Sequence, residues 1–89
     1  MSDASTDTPG DSPPAHDAAL DARGLLCPLP VLKTRKRLMA LEAGAVLRVT
    51  ADDPAALVDV PHFCAEQGHA LLHQASEGAA LLFWIQRRA

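Results

Sequence analysis

Six stretches of this chain carry apolar residues in a pattern that selects a secondary structure, and glycine, proline and aspartate punctuate the joins. Ala19-Leu20-Asp21-Ala22-Arg23 reads as a short strand ahead of Gly24. Val46-Leu47-Arg48-Val49-Thr50 is rich in branched apolar residues and predicts a second strand. Ala70 to Ala75 and Ala79 to Gln86 predict two more, joined as a hairpin around Ser76-Glu77-Gly78. In the last of them Leu81, Phe83 and Ile85 alternate with Leu82, Trp84 and Gln86, so the two sets face opposite sides.

Between the strands the period changes to that of a helix. From about Pro28 to Glu42, Val31, Leu32, Leu38, Met39 and Leu41 fall on one broad arc, with Lys33, Lys36, Arg37 and Ala40 opposite. Arg35 projects near the middle of the apolar arc, where its charged head must snorkel or find a partner. Pro28 suits the first turn, which has no use for the N–H that proline lacks, and Gly44 is the residue expected just past the end. A second helix starts with Asp53 as its cap and Pro54 in its first turn, and carries a stripe of Leu57, Val60, Pro61 and Cys64. Pro61 is expected to break or kink it, leaving a short first segment and a second from about Val60 to Gln67, with Gly68 as the stop. The order β-α-β-α-β-β predicts an α+β fold: a four-stranded mixed sheet with two helices on one face. Strands 1 and 2 are expected to run parallel, through a right-handed crossover over the first helix.

Composition narrows the function classes. Eighty-nine residues make one small domain, and with Phe63, Phe83 and Trp84 as the only aromatic residues its core is chiefly aliphatic. Residues 1–18 hold Asp3, Asp7, Asp11 and Asp17, no lysine or arginine and no large apolar residue but Met1, so they read as a disordered acidic tail ahead of a domain at 19–89. The tail accounts for the net charge of −3; the remainder is close to neutral, which gives no sign of direct nucleic-acid binding. The absence of a signal peptide and of a long apolar run makes the cytoplasm the expected location, with no membrane association. Two cysteines 37 positions apart make no disulfide framework.

Cys27 carries the chemistry. In Leu25-Leu26-Cys27-Pro28-Leu29-Pro30-Val31 it falls at or next to a helix N-cap, where unpaired N–H groups and the helix dipole favour an anion. A thiol there is expected to ionise more readily than a free one, and the thiolate is the reactive form. Position 30 is proline, so no resolving thiol stands nearby. Nothing in the spacing of His62, His69 or His73 ties a base to Cys27, and His16 belongs to the tail. The cysteines and histidines have no metal-ligand spacing, so neither metal nor cofactor is expected. Cys64, on the apolar stripe, reads as structural, with a resolving thiol as the less favoured role. Asp21, Gly24, Pro28 and Pro30 are expected to shape the loop, and Lys33, Arg35, Lys36 and Arg37 to form a basic docking face for an acidic protein partner. A thiol that accepts an atom and passes it on, a redox sensor, and a non-catalytic regulatory interaction module all remain open on these residues alone.

The run Leu20-Asp21-Ala22-Arg23-Gly24-Leu25-Leu26-Cys27-Pro28-Leu29-Pro30-Val31-Leu32-Lys33-Thr34 closely resembles the TusA/SirA-like sulfur-carrier family, whose hallmark is Cys-Pro-x-Pro. The similarity continues through Asp52-Asp53-Pro54, Asp59-Val60-Pro61-His62-Phe63-Cys64 and Gly68-His69, and covers essentially residues 19–88. The resemblance implies a two-layer α/β sandwich and a persulfide carried on Cys27. It implies a sulfurtransferase role, with sulfur taken from a cysteine desulfurase or rhodanese-like donor and handed to a downstream acceptor protein. The pathways it implies are tRNA thiolation, sulfur oxidation or cofactor assembly. Leu29 stands where the tRNA-thiolation members tend to carry an acidic residue.

Overall fold

Leu47, Val49 and Ala51 alternate along one strand and are wholly buried, and that alternation fixes which side of the sheet receives the helices. The computed structural model describes residues 13–88. Its elements are β1 (Ala18–Asp21), α1 (Leu29–Met39), β2 (Val46–Ala51), α2 (Ala56–Gln67), β3 (Ala70–Glu77) and β4 (Ala80–Gln86). The sheet runs β1-β2-β4-β3; β1 pairs with β2 in parallel, and the β2–β4 and β3–β4 pairs are antiparallel. The fold is therefore the expected α+β arrangement with a four-stranded mixed sheet and two helices.

The inner strand β4 is apolar on both sides: Leu82, Phe83, Trp84 and Ile85 are all buried. Phe83 and Ile85 lie opposite Val49 and Leu47 and join them in the main core with Leu38 of α1 and Ala56, Val60, Phe63 and Cys64 of α2. Both helices thus pack on one face. On the other face Trp84 clusters with Val46, Leu82 and Ala75, and its ring meets the His73 ring edge-on at 5.0 Å. The hairpin turns on Gly78-Ala79, one step later than expected, and Gly78 supplies the positive φ of 60° that so tight a turn demands.

Several expectations need correction. The tail assigned to residues 1–18 lies outside the described residues as far as position 12, but Asp17 and Ala18 belong to the fold. Asp17 donates its N–H to the Val46 carbonyl and accepts the Val46 N–H on its carboxylate, both at 2.8 Å, and Ala18 opens β1. Helix α1 is shorter than expected, and its buried face is rotated. It buries Pro30, Thr34 and Leu38, while Leu32 and Met39 are more than half exposed and Arg35 is solvent-facing rather than inside an apolar arc. Thr34 is the cause: its hydroxyl donates to the Pro30 carbonyl at 2.7 Å, so a residue ranked as polar can sit at the centre of the buried stripe. The helix ends at Met39 instead of running to about Glu42; the Arg87 guanidinium bonds the Leu41 carbonyl just beyond it.

Helix α2 is continuous through Pro61. The proline forfeits one hydrogen bond, to the carbonyl of Leu57 four residues back. Leu57 is about half exposed, whereas Val60, Phe63 and Cys64 anchor the helix on both sides of Pro61, so packing holds the helix together across the lost bond. Its end at Gly68 is as expected: the residue adopts the left-handed conformation, φ 77°, that lets the chain leave the helix.

Candidate functional site

Parallel pairing of β1 with β2 brings the loops that follow them side by side, since Asp21 lies opposite Thr50 at the C-terminal ends of the two strands. The first loop carries Cys27. The second carries Asp52 and Asp53, and both reach across. Asp52 accepts the Gly24 N–H at 3.0 Å, and Asp53 accepts the Cys27 N–H at 2.8 Å. The other oxygen of Asp53 takes the Ala55 N–H at 3.0 Å, so one carboxylate joins the cysteine loop to the turn that leads into α2. These amide bonds hold Asp53 below the usual carboxylate range, the Cys27 N–H contributing most.

On the near side of the loop, Asp21 holds Arg23 by a two-point ion pair at 2.9 Å and also accepts its backbone N–H at 3.1 Å. Those bonds lower the Asp21 pKa to about 2. Gly24 follows at φ 81°, a conformation in which a side chain would be strained. Asp21 and Gly24 both belong to the loop that leads to Cys27. The helix starts one residue later than expected, so Pro28 stands just outside it rather than at its first position, while Pro30 falls in the first turn. Cys27 and Pro28 form a turn closed by the Leu29 N–H on the Leu26 carbonyl at 2.8 Å, the Cys27–Pro28 peptide is cis, and the helix begins at Leu29 with Pro28 as its N-cap and Pro30 in its first turn.

Cys27 is exposed beside the helix start, as expected, but its electrostatic setting is the reverse of the expected one. Its Sγ–H donates to Oδ2 of Asp59, at 2.9 Å across the cleft on α2. That hydrogen bond, with desolvation and the charges of Asp59 and Asp53, pushes the thiol above its ordinary pKa. The dipole of α1 is present, but two carboxylates close to Sγ and the Cys27 amide outweigh it. An open cavity of about 210 Å³ lies beside the sulfur, lined by Cys27, Pro28, Val31, Asp59, His62, Phe63 and Glu66. Val31 and Phe63 give it an apolar lining, and His62 stands 3.5 Å from the Glu66 carboxylate on the exposed surface of α2.

Sequence spacing missed Asp59 and His62 in this cleft because α1 and α2 meet only in the tertiary structure. It read Asp53 as the cap of α2, whose N-cap is instead Ala55, and missed the bonds that Asp52 and Asp53 make to the cysteine loop. The signal for the second pair was present: two acids directly after a strand predicted to lie parallel to the strand before Cys27. Lys33, Arg35, Lys36 and Arg37 are all exposed on α1, interleaved with exposed Leu29 and Leu32. Cys64 is buried in the core, with 2% exposure, and burial pushes its thiol up to about 11.

The chain is a small four-stranded α+β sandwich that presents an exposed cysteine beside the start of its first helix. The family model described as Sulfurtransferase TusA matches residues 18–87, and the chain belongs to that family. It is 49% identical over 74 residues to the sulfur carrier protein TusA of Pseudomonas entomophila (strain L48), covering 83% of this chain and 92% of that one. It is 42% identical over 73 residues to the sulfur carrier protein TusA of Pseudomonas aeruginosa (strain LESB58), covering 82% and 92%. The crystal structure of the SirA-like protein from Desulfitobacterium hafniense shares the fold, with a TM-score of 0.72 at 24% identity over 82% of this chain and all of that one. The protein is a sulfur carrier. Among the described residues no helix is long and apolar enough to cross a membrane.

Proposed function

We propose that Cys27 is the atom on which sulfur is carried, as a persulfide, and that the chain acts as a relay sulfurtransferase between a donor and an acceptor protein. The observation that carries this reading is the contrast between the two thiols: Cys27 is exposed at the mouth of a cleft, whereas Cys64 is sealed in the core. In loading, Cys27 gives up its proton and Sγ attacks the terminal sulfur of a donor perthiol. The bond from Sγ to that sulfur forms, the donor's own S–S bond breaks, and the departing donor thiolate takes up a proton. The sum is donor–S–SH plus Cys27–SH giving donor–SH plus Cys27–S–SH, with no outside oxidant. Delivery repeats the exchange toward an acceptor.

Asp52 and Asp53 fix the loop so that Sγ projects from a rigid turn, which suits transfer between two protein surfaces. Asp21, Gly24, Pro28 and Pro30 shape the same turn. The donor is a cysteine desulfurase or a rhodanese-like protein, docking against Lys33, Arg35, Lys36 and Arg37, and the site of action is the cytoplasm. Sulfur passes on to tRNA thiolation, sulfur oxidation or cofactor assembly. The test is intact-protein mass after incubation with a cysteine desulfurase, pyridoxal phosphate and cysteine. Wild type and Cys64→Ser are expected to gain one sulfur that a reductant removes, and Cys27→Ser none; equal loading of Cys27→Ser and wild type refutes the reading.

A further inference from the structure

Among the described residues, the charges acting on Cys27 are carboxylates, with no lysine or arginine against the sulfur. The charged and titratable groups around Sγ are Asp59, His62 and Glu66 from α2 and Asp53 from the loop before it. Helix α1 and its cap contribute only Pro28 and Val31 to the cavity, and the Arg23 guanidinium, outside the lining, is engaged by Asp21. We infer that Asp59 is a specificity-determining residue for sulfur loading: it holds the proton on Cys27 in the empty carrier and sets a fixed negative charge beside the path to Sγ. Cys27 is thereby reserved for donors that present a neutral perthiol next to a cationic side chain.

This role of Asp59 presupposes that Cys27 carries the sulfur. A carboxylate 2.9 Å from Sγ stabilises the thiol and penalises the thiolate, so attack on a stray electrophile is slow. The same charge repels a small anionic donor of the thiosulfate type as it enters the open cavity, because the half-buried Asp59 is less screened than a fully exposed carboxylate. A lysine or arginine brought by a protein donor removes both penalties together. It compensates Asp59, frees the thiol to ionise, and leaves the sulfur transfer balanced as written above.

Charged methanethiosulfonates of similar size test this directly, with Cys64→Ser as a single-thiol background. The full chain is reacted with the 2-aminoethyl reagent, a cation, and with the 2-sulfonatoethyl reagent, an anion, over a range of pH. Relative to the same reagents on a free thiol, the carrier is expected to favour the cation. Asp59→Asn is expected to shrink that preference roughly five- to tenfold and to move the pH midpoint of reaction toward acid. Asp59→Glu restores the preference, Glu66→Gln leaves most of it, and a His62→Gln background removes the pocket imidazole from the profile. A ratio and midpoint in Asp59→Asn within twofold of wild type, or an equal collapse in Glu66→Gln, overturns the proposal. Raising the salt from about 20 to about 500 mM on the unaltered pocket must also shrink the preference, a readout that needs no folded variant. Reagent kinetics report the Asp59–Cys27 coupling whether or not Cys27 loads sulfur, so failure here is distinct from failure of the mass experiment.

Discussion

Asp53 and Cys27 are 26 positions apart in sequence, yet one carboxylate oxygen accepts the cysteine's N–H at 2.8 Å while its partner oxygen accepts that of Ala55 at 3.0 Å. The reactive loop is therefore fastened to the start of α2 by an ionised side chain, and its order depends on that charge.

The bonds that hold Asp53 depress its pKa, so the stabilisation they give is complete above the ordinary carboxylate pKa of about 4 and is lost as the pH falls through the lower folded value. Asp53→Ala is expected to melt several degrees below wild type at pH 7, with the gap closing below about pH 4. Thermal melts from neutral to acid pH read the difference directly. Asp21, held at about 2, titrates later and is common to both proteins, so it drops out of the comparison. A gap that is constant with pH would mean that the Asp53 carboxylate charge is irrelevant to the loop.

The burial of α1 predicts an order of mutational cost that differs from the hydropathy order. Leu38→Ala empties a wholly buried site against the sheet and is expected to cost about 2–5 kcal/mol. Thr34→Val keeps the shape but removes the hydroxyl's bond to the Pro30 carbonyl, at about 1 kcal/mol. Leu32→Ala and Met39→Ala, on the exposed side, are expected to stay within about 0.5 kcal/mol of wild type. Urea unfolding with an unchanged m-value tests the ranking; a cost for Leu32→Ala equal to that of Leu38→Ala would contradict the observed face.

Charge on the outer face of α1 is expected to govern encounter rather than fold. Lys33, Lys36 and Arg37, reversed together to glutamate, should slow sulfur loading from a protein donor about tenfold at low salt, with the deficit shrinking as salt is raised. Stopped-flow or quenched mass measurements of loading rate at several ionic strengths check this, and circular dichroism checks that α1 survives. Identical loading rates at low salt would remove this face from the docking reading.

Period and punctuation determined the six elements and their order on the sequence alone, because alternation in β4 and the stops around Gly24 and Gly68 act through neighbouring residues. They also singled out Cys27, whose place before a helix is a local fact. The buried face of α1 was not legible, because Thr34 became a core residue only by bonding a carbonyl in its own helix under the sheet. Nor was the continuity of α2 through Pro61, where contacts made by Val60, Phe63 and Cys64 with other elements outweigh one lost bond. The state of the thiol was decided entirely by tertiary structure. Sequence placed Cys27 at the positive end of a helix and predicted an acidified sulfur. Packing α2 beside α1 set Asp59 at 2.9 Å from it, and a full charge at that distance prevails over the partial charge of a helix dipole.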